Sequence, residues 1–144
     1  SVKEFERANR FNQSLSVVTC YLDHFKSLND NYGHDFGDLV LKEFSDVCQM
    51  MFRKEDFVAR FGGEEFVILL VSSPLSEAVA IAERLRLKWE EVGKELDGQN
   101  CKSTVSIGVA QMNDEDVDVD QVIKRADQHL YFAKENGRNR VYGD

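Results

Sequence analysis

Val58-Ala59-Arg60-Phe61-Gly62-Gly63-Glu64-Glu65-Phe66-Val67-Ile68-Leu69-Leu70-Val71 holds two strand-like runs, residues 58–61 and 66–71, parted by two glycines and two glutamates. Glycine reaches the positive φ that tight turns require, so Gly-Gly between such runs signals a β-hairpin. On its own the pair is a turn and nothing more. The two carboxylates at its exit add chemistry. Successive strand residues point to opposite faces, so Glu64 and Glu65 do different jobs. A glutamate facing a cleft can hold Mg²⁺ or accept a proton from a hydroxyl nucleophile. Two residues without side chains beside it let a phosphate or ribose come close to the backbone.

Working outward, helix and strand periods alternate with short connections. The polar stretch 2–12 predicts a helix and residues 15–22 a strand. After Gly33 the apolar positions Val40, Phe44, Val47, Cys48 and Met51 fall at helical spacing. Beyond the hairpin, Pro74 suits the first turn of a helix capped by Ser73, with Ala78, Ile81, Ala82, Leu85, Trp89 and Val92 on one face. Residues 104–110 alternate as a half-buried strand through Val105, Ile107 and Val109. The acidic loop 113–118 caps a last helix, Val122, Ile123, Ala126, Leu130 and Ala133 inward. Gly137 stops it, and Val141-Tyr142 adds a short edge strand. One sheet with helices packed on it, a mixed α/β sandwich with a hairpin in the middle, is the architecture this order predicts.

The bulk properties fit one such domain. The chain has 144 residues, 42% hydrophobic and 31% charged, which is ordinary for a folded soluble protein. No apolar run approaches the roughly 20 residues of a membrane span, and no signal peptide is read at the start. The net charge of −8 argues against nonspecific binding to nucleic acid or an anionic membrane. It leaves nucleotide binding open, because a local cation cluster offsets the global field. Cys20, Cys48 and Cys101 are odd in number and scattered; they read as small buried hydrophobes in a reducing, cytoplasmic setting.

Two further clusters carry chemistry. Tyr21-Leu22-Asp23-His24-Phe25-Lys26-Ser27-Leu28-Asn29-Asp30, continuing to Gly33-His34 and Gly37-Asp38, lies where the first strand gives way to a helix. Ligands in open α/β sheets gather there. Lys26 suits a phosphate as a point charge, while Asn29 and Asp38 match the donors and acceptors of a guanine edge. Taken singly, Lys26 is a solvated charge and Asp38 a helix-dipole partner. The other cluster, Ala133-Lys134-Glu135-Asn136-Gly137-Arg138-Asn139-Arg140, reads either as a helix end with helpful cations or as a phosphate site through Lys134 and Arg138.

In this order the motifs resemble the GGDEF family of diguanylate cyclases. The family pattern D-x-D-x-F-K-x-x-N-D…GH…GD, then GG(D/E)EF, SIGVA and A-K-x-x-G-R-N is met by Asp23-His24-Phe25-Lys26, Asn29-Asp30, Gly33-His34 and Gly37-Asp38. It is met further on by the hairpin, by Ser106-Ile107-Gly108-Val109-Ala110 and by residues 133–139. The resemblance covers nearly the whole chain and implies a nucleotidyl-cyclase or polymerase-palm-like fold. It implies one GTP per protomer of a homodimer, and condensation of two GTP into cyclic di-GMP with release of pyrophosphate. Carried over by position, Asn29 and Asp38 hold guanine, and Lys26, Lys134 and Arg138 hold phosphates beside Gly62 and Gly63. Glu64, Glu65 and Lys26 are the catalytic candidates. Mg²⁺ or Mn²⁺ is the implied cofactor, with Glu64 and the main-chain carbonyl of Leu22 as its ligands. Arg53-Lys54-Glu55-Asp56 fits an R-x-x-D inhibitory site for cyclic di-GMP, with Arg84 as a second arginine.

The sequence departs from the family pattern in two places. The first aspartate of D-x-D ligates metal in the family, and that position here is Tyr21, a neutral phenol with a pKa of about 10. The family's opening L-T-G-L-x-N-R segment is also missing. The chain is therefore expected to be a single domain, residues 1–144, a fragment of a longer signalling protein whose membrane anchorage is left open. The alternative function is a degenerate domain that acts as a cyclic di-GMP receptor or a GTP-binding regulatory and dimerisation module.

Overall fold

β1 (Leu15–Leu22) has a strand hydrogen-bonded on each side, and its alternating side chains divide the interior in two. The computed structural model describes residues 14–144, so the helix expected over residues 2–12 lies outside the described residues. After β1 come α1 (Phe25–Tyr32), α2 (His34–Met51), β2 (Phe57–Phe61), β3 (Glu65–Val71), α3 (Leu75–Val92), β4 (Val105–Gln111), α4 (Val119–Glu135) and β5 (Val141–Gly143). The sheet order is β2-β3-β1-β4-β5, antiparallel except for the parallel β4–β5 edge. This is the mixed sheet with packed helices that the alternating pattern predicts.

Strand parity places the layers. Val18, Cys20 and Leu22, with Ile68 and Ile107, pack under α1, α2 and α3 around Phe44, Leu85 and Trp89. Phe44 meets Trp89 edge-on at 5.2 Å, and the Trp89 indole N–H, fully buried, donates to Ser103 Oγ at 3.0 Å. The odd positions Leu15 and Val17 face the other way, with Val67, Leu69 and Ala110, and receive Val122 and Ala126 of α4. That helix lies hard on the sheet. A Cβ added at Gly108 would stand 2.0 Å from the Ala126 carbonyl oxygen and 2.4 Å from the Leu130 nitrogen. Among the described residues no helix is long and apolar enough to cross a membrane.

The hairpin joins β2 to β3 through Gly62, Gly63 and Glu64, with Phe61 paired to Glu65 and Gly62 at φ +64°. Strand β3 therefore begins at Glu65, one residue earlier than its apolar run. The cap expected from Ser73 is not formed. Its hydroxyl donates to the Val71 carbonyl instead, Pro74 takes the cap position, and the Leu75 N–H is satisfied at 2.8 Å by Gln111 Oε1 reaching across from β4. Asp118 does cap α4, accepting from the Gln121 N–H at 3.1 Å.

Cys20 and Cys48 are buried free thiols and Cys101 is half-buried. Burial pushes the Cys20 thiol well up and the Cys48 thiol up to about 12. Because the thiolate is the nucleophile, a disulfide exchange reagent at neutral pH should titrate Cys101 alone in the folded protein and all three thiols in denaturant. Rapid reaction of two thiols without denaturant would contradict this packing.

Candidate functional site

The C-terminal end of β1, the hairpin and the end of α4 meet at one point. Leu22 N–H donates to the main-chain oxygen of Glu64 at 3.2 Å, which ties the hairpin turn to the end of β1. Tyr21 pairs across the sheet with Glu65 on one side and Ser106 on the other, so all three share the α4 face. The last turn of α4 then lays Lys134 over the half-buried Tyr21, its Nζ 3.9 Å from the ring centroid, with the Arg138 guanidinium carbon at 5.9 Å. Both distances lie within the range of cation–π attraction.

The proton affinities follow from this crowding. Burial raises the Tyr21 phenol above its ordinary value, helped by the charge of Glu64 and by hydrogen bonding to that carboxylate. Glu65 is also raised, by burial first and then by the charge of Asp127, while Lys134 pulls it back. Asp127 is raised by burial, against the pull of Lys134 and of a hydrogen bond from Thr19. Lys134 thus sits among a π-face and two carboxylates that hold their protons more tightly than usual.

Asp23, only 2% exposed, shares the parity of Tyr21 and turns its carboxylate to Ser106 and the chain after α4. Its carboxylate accepts from Thr104 Oγ1 (2.8 Å), Ser106 Oγ (2.7 Å) and the Asn139 N–H (3.0 Å), and it pairs with Arg138 Nη1 at 3.6 Å. These partners fasten the turn after α4, where Arg138 and Asn139 both have positive φ. The Asn139 side chain extends the fastening to α3, through Arg86 Nη1 at 3.0 Å and Glu90 Oε2 at 2.5 Å. Asp23 is a structural clamp that aims Arg138, its carboxylate committed to three hydrogen bonds and an ion pair within the fold.

Asn29 and Asp38 are brought together at the start of α2. A Cβ on Gly37 would fall 1.7 Å from Asn29 Oδ1, so the carboxamide rests where only glycine leaves room. The next residue, Asp38, is exposed and lines a groove of about 380 Å³ with Leu41, Lys42, Arg60 and Phe66. Lys26 is exposed on the first turn of α1. Cβ atoms added at Gly62 or Gly63 would meet nothing within 4 Å. Gly62 is required by its φ; at Gly63 no contact within the fold demands glycine, and open space flanks the backbone.

The second predicted group also comes together, at the far end of β3. That strand has 7 residues, placing this group about 20 Å from the hairpin turn. Arg53, Asp56 and Arg84 line a cavity of about 320 Å³ with Ser73, Glu77 and Ile81. Arg53 Nη2 donates to the Val71 carbonyl (2.7 Å) and the guanidinium pairs with Asp56, whose buried carboxylate also accepts the Val71 N–H (3.2 Å).

Comparison with known proteins decides the lineage. The family described as "Diguanylate cyclase, GGDEF domain" matches residues 2–140. The chain belongs to the GGDEF family. This GGDEF domain is 42% identical over 129 residues to diguanylate cyclase A of Treponema denticola, covering 90% of this chain and 35% of that protein. It is 39% identical over 140 residues to diguanylate cyclase DosC of Escherichia coli K12, covering 96% of this chain and 30% of that protein. It therefore spans about a third of the length of these curated relatives. Its fold superposes on the active GGEEF domain of a diguanylate cyclase from Vibrio cholerae with a TM-score of 0.92 at 37% identity, covering 98% of this chain and 89% of that one. The GGDEF domain of DgcB from Caulobacter crescentus in complex with c-di-GMP gives 0.89 at 28% identity, covering 99% and 84%.

The family resemblance calls for a divalent cation, and Mg²⁺ requires a compact set of oxygen ligands. Among the described residues no three His, Cys, Asp or Glu side chains converge. Glu64 supplies one carboxylate, position 21 a neutral phenol with an ammonium on its ring, and Asp23 is buried and turned to partners within the fold. These residues do not fit a Mg²⁺ or Mn²⁺ centre held by the protein. Sequence reading missed the partners Thr19, Thr104 and Asp127, and named Asn139 within its cluster without a role. Only Asp127 carried a local signal, two helical turns before Lys134 on the same face.

Proposed function

We propose that this GGDEF domain binds guanine nucleotides in two places and does not condense them. GTP enters the half-site of Asn29, Asp38, Lys26, Lys134, Arg138 and the Gly62-Gly63 turn, and cyclic di-GMP enters the pocket of Arg53, Asp56 and Arg84. The observation that carries this reading is Lys134 Nζ, 3.9 Å from the centroid of the Tyr21 ring, where the family pattern has a carboxylate. Asn29 and Asp38 offer an amide and a carboxylate to the guanine edge, and open space at Gly63 admits a phosphate to the backbone. Arg84 presents a planar fork suited to phosphates or a guanine edge, and Arg53, held by Val71 and Asp56 through Nη2, adds its charge beside it.

Incubating the purified protein with GTP and Mg²⁺ or Mn²⁺, then chromatographing the products, tests this: GTP is bound and no cyclic di-GMP forms. Gly37→Ala should weaken GTP binding by about tenfold or more, by driving Asn29 off its seat, and leave cyclic di-GMP binding unchanged. In calorimetric titration Arg53→Ala should do the reverse. Unchanged cyclic di-GMP affinity in Arg53→Ala would remove the receptor half of the reading.

A second reading, an active cyclase, is favoured by the retained Glu64 beside the glycine turn and by the names of the relatives. Two half-sites would then face each other in a homodimer, the 3′-hydroxyl of one GTP attacking the α-phosphate of the other and expelling pyrophosphate. Glu64 would take the hydroxyl proton, with Glu65 and Lys26 in support. In that case cyclic di-GMP at the Arg53 pocket would slow the reaction. Product from the wild-type chain would establish this reading in place of the first.

A further inference from the structure

What surrounds Tyr21 bears on how a phosphate is held, an inference that rests on the GTP reading above. We propose that the half-site holds the phosphates of GTP without a divalent cation, and that Tyr21 is the positioning residue that makes this workable by presenting Lys134. Two carboxylates facing a triphosphate repel it, and a bridging metal is what reconciles them. Here one of the two positions carries a phenol, neutral at pH 7, in place of a carboxylate, so that repulsion is halved at its source. A carboxylate at position 21 would also take Lys134 into an ion pair. The ring attracts the ammonium through its π-face without neutralising it, leaving N–H donors directed outward for phosphate oxygens. Arg138 stands over the same ring at 5.9 Å and is aimed by Asp23 from behind. Its buried Nη1 lies against Asp23 at 3.6 Å, which leaves the other guanidinium N–H groups for a phosphate.

The test is calorimetric titration of GTP into the protein in EDTA and again in Mg²⁺, for wild type, Tyr21→Phe, Tyr21→Leu and Tyr21→Asp. Cyclic di-GMP binding at the Arg53 pocket and the thermal midpoint serve as controls for folding. Wild type and Tyr21→Phe should bind GTP with dissociation constants that differ by less than about threefold between EDTA and Mg²⁺. Tyr21→Leu, which keeps bulk and loses the π-face, should bind about tenfold more weakly in both. Tyr21→Asp should bind about tenfold or more tightly in Mg²⁺ than in EDTA. Wild-type binding that tightens about tenfold with Mg²⁺, or Tyr21→Leu binding like wild type, overturns the inference and leaves GTP recognition standing. No GTP binding in either buffer overturns the inference and the GTP reading together.

Discussion

Asp23→Ala is expected to lose roughly 3 kcal/mol or more of folding stability, because each buried hydrogen-bond partner it orphans costs about 1–3 kcal/mol. The carboxylate is 2% exposed and accepts three hydrogen bonds besides its pairing with Arg138. Truncation leaves the Thr104 and Ser106 hydroxyls and the Asn139 N–H without their acceptor, in a place water does not easily reach, and each orphaned group adds its own desolvation penalty. Arg138 keeps its charge and loses its counter-ion. Urea unfolding followed by far-ultraviolet circular dichroism measures the loss, and a change under about 1 kcal/mol would mean these bonds are not the clamp described. The turn at 137–139 should slacken as well, so GTP affinity falls along with stability. Asp23→Asn retains shape and one acceptor, and should fall between wild type and Asp23→Ala.

Gly108→Ala should be nearly as damaging, for a steric reason. The atoms its Cβ would strike, the Ala126 oxygen at 2.0 Å and the Leu130 nitrogen and Cα at 2.4 and 2.9 Å, all belong to the backbone of α4. No rotamer change relieves such an overlap; the helix has to rise from the sheet and open the packing of Val17, Val67 and Ala126. Overpacking in cores costs about 1–3 kcal/mol and occasionally more, and a clash against backbone on three atoms belongs at the upper end. Gly63→Ala is the matched control. Its Cβ meets nothing within 4 Å, so stability should stay within about 0.5 kcal/mol of wild type. Equal midpoints for the two variants in urea would show that α4 can shift freely, contrary to this packing.

What the sequence revealed and what it withheld divide along the distance between partners. The hairpin, β1, β4 and the inward faces of α2, α3 and α4 are written in local periodicity, and the residues that resemble family motifs were named one by one. Tyr21 could be recognised as a departure from its identity alone. What Tyr21 touches could not, because Lys134 arrives from the last helix. Asp23 is clearer still: beside a strand end it reads as one more carboxylate near a ligand site, and its clamp is assembled from Thr104, Ser106, Arg138 and Asn139. The start of α3 failed for the same reason. Ser73 and Pro74 carry the local signal for a cap, and a glutamine 36 residues away supplies the bond instead.

The position of β1 bears on how the chain reaches this state. Leu15 waits for Val71 and Ser16 for Gln111, so the central strand is made first and both its neighbours come much later. Pairing over such separations requires closing long loops before any ladder forms, which slows folding relative to helical proteins of similar size. During synthesis an apolar strand with two bare edges leaves the ribosome and stays unpaired until β3 emerges. It keeps one edge open until β4 follows. For that interval the segment at the heart of the finished sheet is the one most exposed to adopting the wrong neighbour.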